Sequence, residues 1–357
     1  MIRKSEDLPE QQNPDLSGNK GGRHNSSGKQ GTSWIKIFLV RDFFISGRNP
    51  RLAEEETVQQ TEAIVLAMFG TTAEPALQGL MAIKTAMEHA FPQTPVTLAF
   101  TANQIRRIWH RRAADPSYLA AHPEIPQEIL QVQGVLATIA NLQDRGYDTL
   151  VVQPTHIAPA EEFHDLAAYI NGLASIRTMK PRWQPFKKIV LGRPLLGTYS
   201  LTHAYSEDIR IVADALADDA EQARRHKAAL VYMGHGNNYF PSGGLYLEFA
   251  ACMRQLYPDV LTLIGTVEGF PGLDAVLAEL RQQAVQRVVL KPFLLVAGEH
   301  ATRDLTGPAD ESWQSVLTKA GLEVIPVLGG LGEQPKIARI FVDHAADAAA
   351  DAGIALR

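Results

Sequence analysis

From residue 63 onward, the sequence alternates short β-rich runs with segments of helical length. Two series of four strands are predicted, over 63–68, 95–100, 149–153 and 188–191, and then over 228–233, 260–265, 288–292 and 323–327. Such alternation is typical of parallel sheets built from βαβ units. The series open alike, with AIVLAMFG and AALVYMGHG, and LVVQPTHIAPAEEFHDL in the first is similar to VVLKPFLLVAGEHATRDL in the second. The sequence therefore predicts an α/β fold of two similar domains, each a central parallel sheet flanked by helices, with a cleft between them.

Four regions are predicted along the chain. Residues 1–60 are a polar N-terminal extension and linker, and the first 33 hold too few apolar side chains to offset the entropy of ordering, so disorder is expected. Residues 61–187 and 188–332 are the N-terminal and C-terminal α/β domains, and 333–357 carry a final helix that packs back on them. The predicted helices span 74–90, 126–144, 245–257, 273–286, 312–320 and 335–350.

Composition excludes several classes of function. Cys252 is the only cysteine, so the chain has neither an internal disulfide nor a Cys-rich zinc site, and a metal site must use His, Asp or Glu. The net charge of -5 gives no reason to expect nucleic acid as a partner. No apolar run approaches the roughly 18 residues of a membrane helix. A cytoplasmic location is expected, and a periplasmic one is the alternative if the start site is misassigned.

Three ionisable side chains lie just past the predicted ends of three strands of the second series. His235 stands in MGHGNN, Glu268 in GTVEGFPG and His300 in VAGEHATRD. Ligands of open α/β sheets bind outside the carboxyl ends of the strands, where neighbouring strand ends lie roughly 5 Å apart. Two imidazoles and a carboxylate suit a borderline divalent metal, and three protein ligands leave a coordination position open. The pattern predicts a working metal site, for which a metal-dependent hydrolase is one interpretation.

The first series offers residues that can face the same cleft. His156, at the end of the third strand, is the counterpart of the strand-end residues in the second half. The run RRIWHRR over 106–112 is either a solvated helix face or a set of charges for an anionic substrate, and Arg193, in LGRPLLGT between the halves, could also hold such a substrate. No GxGxxG, GKS or GxSxG motif is present, so nucleotide use and serine hydrolysis lose support.

Six segments together resemble one family. AIVLAMFGTT, FTANQIRR, VVQPTHIAPAEEFHDL, VYMGHGNN, IGTVEGFPG and LLVAGEHATRDL are similar, in this order, to segments of the class II chelatases, above all the anaerobic cobaltochelatases of the CbiK type. The resemblance covers about residues 62–350. It implies two α/β domains with a tetrapyrrole in the cleft and a metal site of His235, Glu268 and His300.

The resemblance also implies an activity. The reaction would insert Co²⁺ into the anionic tetrapyrrole sirohydrochlorin in anaerobic cobalamin biosynthesis, with no nucleotide. His235, Glu268 and His300 would be catalytic, and both imidazoles would also accept pyrrole protons. Arg106, Arg107 and His156 are candidates for binding the substrate. One branch of the family carries haem at a subunit interface, which makes His164 a candidate haem ligand and a homo-oligomer a candidate assembly.

Alternatives remain open. The same site loaded with Fe²⁺ would make a sirohydrochlorin ferrochelatase, since metal affinity rises only gradually along this series. A non-catalytic carrier of tetrapyrrole or metal on the same scaffold is the second alternative. The N-terminal extension and the stretch ASIRTMKPRWQPF over 174–186 have no counterpart in the family pattern.

Overall fold

Two parallel four-stranded sheets form the centre of the protein in this computed structural model, which describes residues 61–238 and 242–357 and only the backbone of 299–301. The first sheet has the strand order β2-β1-β3-β4 and the second has β6-β5-β7-β8. The strands are β1 (Glu62–Met68), β2 (Val96–Phe100), β3 (Thr149–Pro154), β4 (Lys188–Leu191), β5 (Ala229–Gly236), β6 (Thr262–Glu268), β7 (Arg287–Pro292) and β8 (Glu323–Pro326). The predicted fold of two similar parallel sheets is confirmed. The prediction of a disordered extension over 1–60 falls outside the described residues.

Helices cover both faces of the sheets. In the first half they are α1 (Leu77–Ala90), α2 (Asn103–Ala113), α3 (Pro116–Ala121), α4 (Gln127–Leu130), α5 (Val135–Asp144) and α6 (Glu161–Ala174). The remainder are α7 (Tyr205–Ala215), α8 (Ala217–His226), α9 (Gly243–Leu256), α10 (Leu273–Gln282), α11 (Glu299–Thr306), α12 (Trp313–Lys319) and α13 (Pro335–Asp351). Among the residues described, no helix is long and apolar enough to cross a membrane.

The single helix predicted over 126–144 is wrong. The chain leaves the helical conformation after α4 because Gln133 forms a parallel bridge with Ala99 at the side of β2. The Phe100 amide donates to the Gln133 carbonyl at 2.9 Å, and Gly134 then provides the extended residue from which α5 starts. Backbone pairing to a strand thus overrides a continuous helical pattern, and the break lies at the carboxyl end of the first sheet.

Alternation along the strands divides the core into three clusters. Ala63 and Val65 point to one face of the first sheet, against α5 and α6, while Ile64 and Leu66 point to the other face. That second face belongs to a large cluster that also holds Tyr232 and residues of α1, α7, α9 and α13. The third cluster lies between the second sheet, α10 and α12. The large cluster joins the two halves, so the carboxyl ends of the two sheets keep a defined relation.

Two elements bear on the predicted domain division. β4 starts at Lys188, immediately after the predicted boundary, and pairs with β3 in the first sheet. α13, the predicted final helix, contacts α1 and β3 of the first half and also α7. The boundaries themselves stay predictions.

Candidate functional site

His235 lies within the central strand of the second sheet, one residue before its end. The sequence predicted that His235 lies just past the end of the strand. The strand instead continues to Gly236, because Gly236 pairs with Glu268 of β6. Gly236 has φ +74°, and a Cβ there would overlap the Glu268 carbonyl oxygen, so this turn requires glycine. The His235 side chain is exposed, and its Nδ1 donates to the Gly236 carbonyl at 2.9 Å. A neutral imidazole bonded in this way keeps the Nε2 lone pair for a metal.

Glu268 is the last residue of β6 and pairs with Gly236, the residue after His235, on the neighbouring strand. Its side chain is exposed, and the Asn238 amide donates to its Oε2 at 3.4 Å. This long bond leaves one carboxylate oxygen uncommitted among the contacts of the described residues. Glu268 therefore supplies an accessible oxygen donor on the same edge as the His235 ring.

His300 is the second residue of α11, which follows β7 after a six-residue connection over 293–298. Its side chain falls outside the described part of the structure. The backbone nevertheless places it beyond β7, and β5 lies between β6 and β7 in the sheet. The three predicted ligands thus stand at the ends of three adjacent strands, with His235 on the middle one.

The carboxyl edge of the first sheet faces this site. The Asn237 amide donates to Glu161 Oε2, at the start of α6, over 3.2 Å. Thr71, after β1, lies close enough to Gly298 that a Cβ there would be 3.4 Å from the Thr71 hydroxyl. The repeat noted in the sequence is visible here, because Glu161 and Glu299 begin the helices that follow β3 and β7. The edges of both sheets therefore border one space.

His156, just after β3, is buried at its ring. Both ring nitrogens are shielded from solvent and have no hydrogen-bond partner among the described residues, although the residue keeps some exposed surface elsewhere. Burial lowers the pKa of His156 to about 4, so the imidazole is neutral at neutral pH. Buried polar atoms without partners are uncommon in folded proteins and are often completed by water or a ligand.

A cavity of about 550 Å³ opens at the ends of β1 and β2. Its lining includes the exposed side chains of Phe69 and Tyr169, the Arg106 guanidinium and the buried Thr101 hydroxyl, which has no partner among the described residues. Arg106 donates to the carbonyls of Phe100 and Thr101, the latter at 2.9 Å, and burial lowers its pKa. The guanidinium therefore closes the end of β2 and also presents charge to a cavity whose walls combine apolar with polar side chains, among them the carboxylates of Glu162 and Asp165.

Two other predicted arginines are placed differently. Arg107 is exposed on the same helix and lies outside the lining of this cavity. Arg193 forms ion pairs with Asp208 at 2.7 Å and Asp347 at 2.9 Å. The interpretation of Arg193 as a substrate ligand is therefore wrong, because its charge is already taken between α7 and α13.

The candidate haem ligand and one residue that sequence reasoning missed both lie on α6. His164 is exposed, with its ring edge-on to Phe163 at 5.8 Å between centroids, and a haem role stays a prediction. Tyr169 was not predicted. It shares a helix face with Glu162, Asp165 and Leu166, which all line the cavity, and their helical spacing is a signal that would have found it.

Residues 62–350 match the family described as cobalt chelatase (CbiK). The chain belongs to the cobalt chelatase (CbiK) family. The resemblance of the six segments to this family is thereby confirmed, and the match leaves out residues 1–61 and 351–357.

Relatives and solved structures agree with this family assignment. The sirohydrochlorin cobaltochelatase CbiKC of Nitratidesulfovibrio vulgaris is 33% identical over 283 residues, which are 79% of this chain and 89% of that protein. The sirohydrochlorin cobaltochelatase of Salmonella typhimurium is 25% identical over 284 residues, 79% of this chain and 94% of that protein. SirB from Bacillus subtilis with Fe³⁺ shares the fold, with a TM-score of 0.55 at 16% identity over 84% of this chain and all of that one.

Proposed function

We propose that this member of the cobalt chelatase family inserts Co²⁺ into sirohydrochlorin, using His235, Glu268 and His300 to hold the incoming metal. The names of the two curated relatives support the substrate and the metal. One observation on this chain supports the site above all: the His235 ring donates through Nδ1 to the Gly236 carbonyl, which leaves Nε2 for a metal, and Gly236 itself pairs with Glu268 on the neighbouring strand. Metal-binding histidines commonly donate their second nitrogen to a backbone carbonyl in this way.

The charge balance of metal insertion indicates which role each of the three ligands plays. Each Co²⁺ that enters the macrocycle displaces two pyrrole protons, so the site must release one metal ion and then take up two protons. Once the metal has left, the imidazole nitrogens of His235 and His300 can accept those protons, while Glu268 offsets the positive charge that develops. Holding the metal next to the macrocycle also supplies the alignment that favours transfer. No nucleotide is needed in this sequence of events.

The first half would bind the macrocycle. Arg106 presents charge for the propionate and acetate groups of the substrate, and Phe69 and Tyr169 offer apolar faces for its rings. The neutral ring of His156, which has no hydrogen-bond partner among the described residues, would complete its hydrogen bonds on the substrate. Arg107 stays a weaker candidate because it lies outside the cavity lining. Haem at His164, a homo-oligomer and a cytoplasmic location are further proposals carried over from the sequence.

An anaerobic insertion assay tests the function. Pure protein is mixed with sirohydrochlorin and either Co²⁺ or Fe²⁺, and the change in macrocycle absorption is followed against a protein-free control. We expect acceleration with Co²⁺, and a larger effect with Fe²⁺ would favour a ferrochelatase. Tetrapyrrole binding without any acceleration by either metal would favour a carrier and contradict the proposal.

A further inference from the structure

Three side chains on loops near the cleft form a second group with the donors of a metal site. Glu74 lies between β1 and α1, while His122 and Glu124 follow α3. One donor atom of each lies within 4.8 Å of the others. The His122 Nδ1 is 2.9 Å from Glu74 Oε2 and 3.6 Å from Glu124 Oε1. We name these three residues the rim cluster.

Neighbouring side chains fix the orientation of the rim cluster. The Tyr118 hydroxyl donates to Glu74 Oε1 at 2.6 Å, which leaves Oε2 turned toward His122. The Tyr118 ring stacks on the His122 ring with 4.4 Å between centroids. Burial and the bond to Glu74 raise the pKa of Tyr118 to about 12, so the hydroxyl stays a donor. Hydrogen bonds from such outer residues are a regular feature of metal sites.

The rim cluster adjoins space that leads toward α11. Glu74 also lines a cavity of about 640 Å³, whose other walls include Arg112, Thr302 and Arg303. Arg112 is held by a hydrogen bond of 2.7 Å to the Thr72 carbonyl, and its guanidinium lies 5.1 Å from the Tyr118 ring centre. The cluster therefore stands on an ordered wall and remains accessible: the side chains of Glu74 and His122 are about a quarter to a third exposed.

We propose that the rim cluster binds one divalent transition-metal ion, separately from the metal site at the ends of β5, β6 and β7. One imidazole nitrogen and two carboxylate oxygens suit Zn²⁺ or Co²⁺, with water in the open position. The competing account is a plain ion pair, in which a protonated His122 lies between the two carboxylates. The two accounts differ in whether the number of bound metal ions depends on these residues.

Cobalt titration of the whole chain decides between them. Binding stoichiometry and affinity are measured by calorimetry, with the visible absorption of bound Co²⁺ as a second readout. The proposal predicts two sites in the unchanged protein, one in His122→Ala, one in His235→Ala, and none in the double variant. His89→Ala, which removes an exposed histidine at the end of α1, is the control and should bind two ions.

Two milder variants guard against loss of folding. Glu124→Gln removes the negative charge and one of the two carboxylate oxygens of an exposed side chain, and Tyr118→Phe keeps the stacked ring while removing the hydroxyl that holds Glu74. Each should raise the Kd of the rim site by at least about tenfold. Unchanged stoichiometry and affinity in folded His122→Ala, Glu124→Gln and Tyr118→Phe would overturn the proposal. If His122→Ala binds one ion fewer than the unchanged protein while His235→Ala binds the same number, the result would support the rim site and contradict the strand-end site.

Discussion

The two halves of the molecule share a strand order but differ in what stands at the carboxyl edge of the sheet. In the second half, His235 and Glu268 are exposed on adjacent strands, and the His235 ring has a nitrogen available for metal. In the first half, the imidazole of His156 is buried and has no hydrogen-bond partner in the part of the chain that the structure describes, and Arg106 lines a cavity with apolar and polar walls. Under the proposed function, the repeated scaffold separates two tasks, with the metal held at one edge and the macrocycle bound at the other.

The two halves also differ at the residue that precedes the proline at the end of β3 and of β7. Gln153 precedes Pro154 in β3, and Lys291 precedes Pro292 in β7. Gln153 donates to the carbonyls of Pro154 at 2.7 Å and Arg193 at 2.9 Å. Lys291 instead forms a buried ion pair with Asp219 at 2.5 Å. The first half therefore closes its sheet end with neutral hydrogen bonds and the second with a charge pair.

The largest expected effect on stability comes from this pair of positions. Lys291→Met should lower the free energy of unfolding by about 4 kcal/mol, because Asp219 is left as a buried charge whose remaining side-chain partner in the described structure is the Tyr232 hydroxyl, 2.7 Å away. Gln153→Met should cost about 1 to 2 kcal/mol, the cost of unpaired buried carbonyls. Urea denaturation of both variants measures the difference, and equal losses would contradict it.

A pH series tests the buried state of His156. The folded protein keeps this imidazole neutral down to about pH 4, whereas the unfolded chain takes up a proton near the ordinary pKa of 6.5. Stability is therefore lost as the pH falls from 6.5 toward 4, by about 3 kcal/mol at most. His156→Phe should remove this part of the pH dependence and His89→Ala should keep it. An identical pH profile in His156→Phe would refute the neutral buried ring.

The next largest expected effect on stability comes from two glycines in corresponding positions, one near the end of β1 and one at the end of β5. Gly236 has φ +74° and Gly70 has φ +93°. A Cβ at Gly236 meets the Glu268 backbone, but one at Gly70 meets the Phe100 ring at 2.6 Å, and a side chain yields more easily than a strand. Gly236→Ala should cost about 2 to 3 kcal/mol and Gly70→Ala about 1 to 2 kcal/mol. Thermal unfolding checks the order, and cobalt insertion should fall mainly in Gly236→Ala.

The smallest expected effect is a difference in the KM for sirohydrochlorin between variants of two neighbouring arginines. Arg106 lines the cavity and Arg107 does not. Arg106→Met should raise the KM for sirohydrochlorin about tenfold, equivalent to about 1.4 kcal/mol of binding free energy, while Arg107→Met should change it by less than about twofold. The result would count against the cavity as the macrocycle site if both variants kept the KM of the unchanged protein.

Much of the fold could be predicted because it depends on local patterns. The predicted strand over 188–191 coincides with β4, and the glycines around His235 predicted a strand end where a ligand can approach. Other features depend on partners distant in the chain. The sequence shows the charge of Arg193 but not the carboxylates of Asp208 and Asp347 that take it. Likewise, Glu74 meets His122 only after the chain has passed through β2 and α2.

The burial of His156 shows the same limit at the candidate site. His156 and His235 both follow an apolar run in the sequence, and sequence alone does not reveal that one ring is enclosed and the other exposed. The difference arises from packing of residues from several elements. Their similar sequence settings therefore predicted their positions at the sheet edges but not their different environments.

The central claim is that the second half holds the metal and the first half binds the macrocycle. The most direct test compares the rate of cobalt insertion by His235→Ala with that by His156→Ala. We predict that His235→Ala loses about 100-fold or more of the rate while it still binds sirohydrochlorin. His156→Ala should mainly weaken sirohydrochlorin binding and should keep most of the rate at saturating substrate. A His235→Ala variant that inserts Co²⁺ at the rate of the unchanged protein would contradict the assignment of the metal site to the second half.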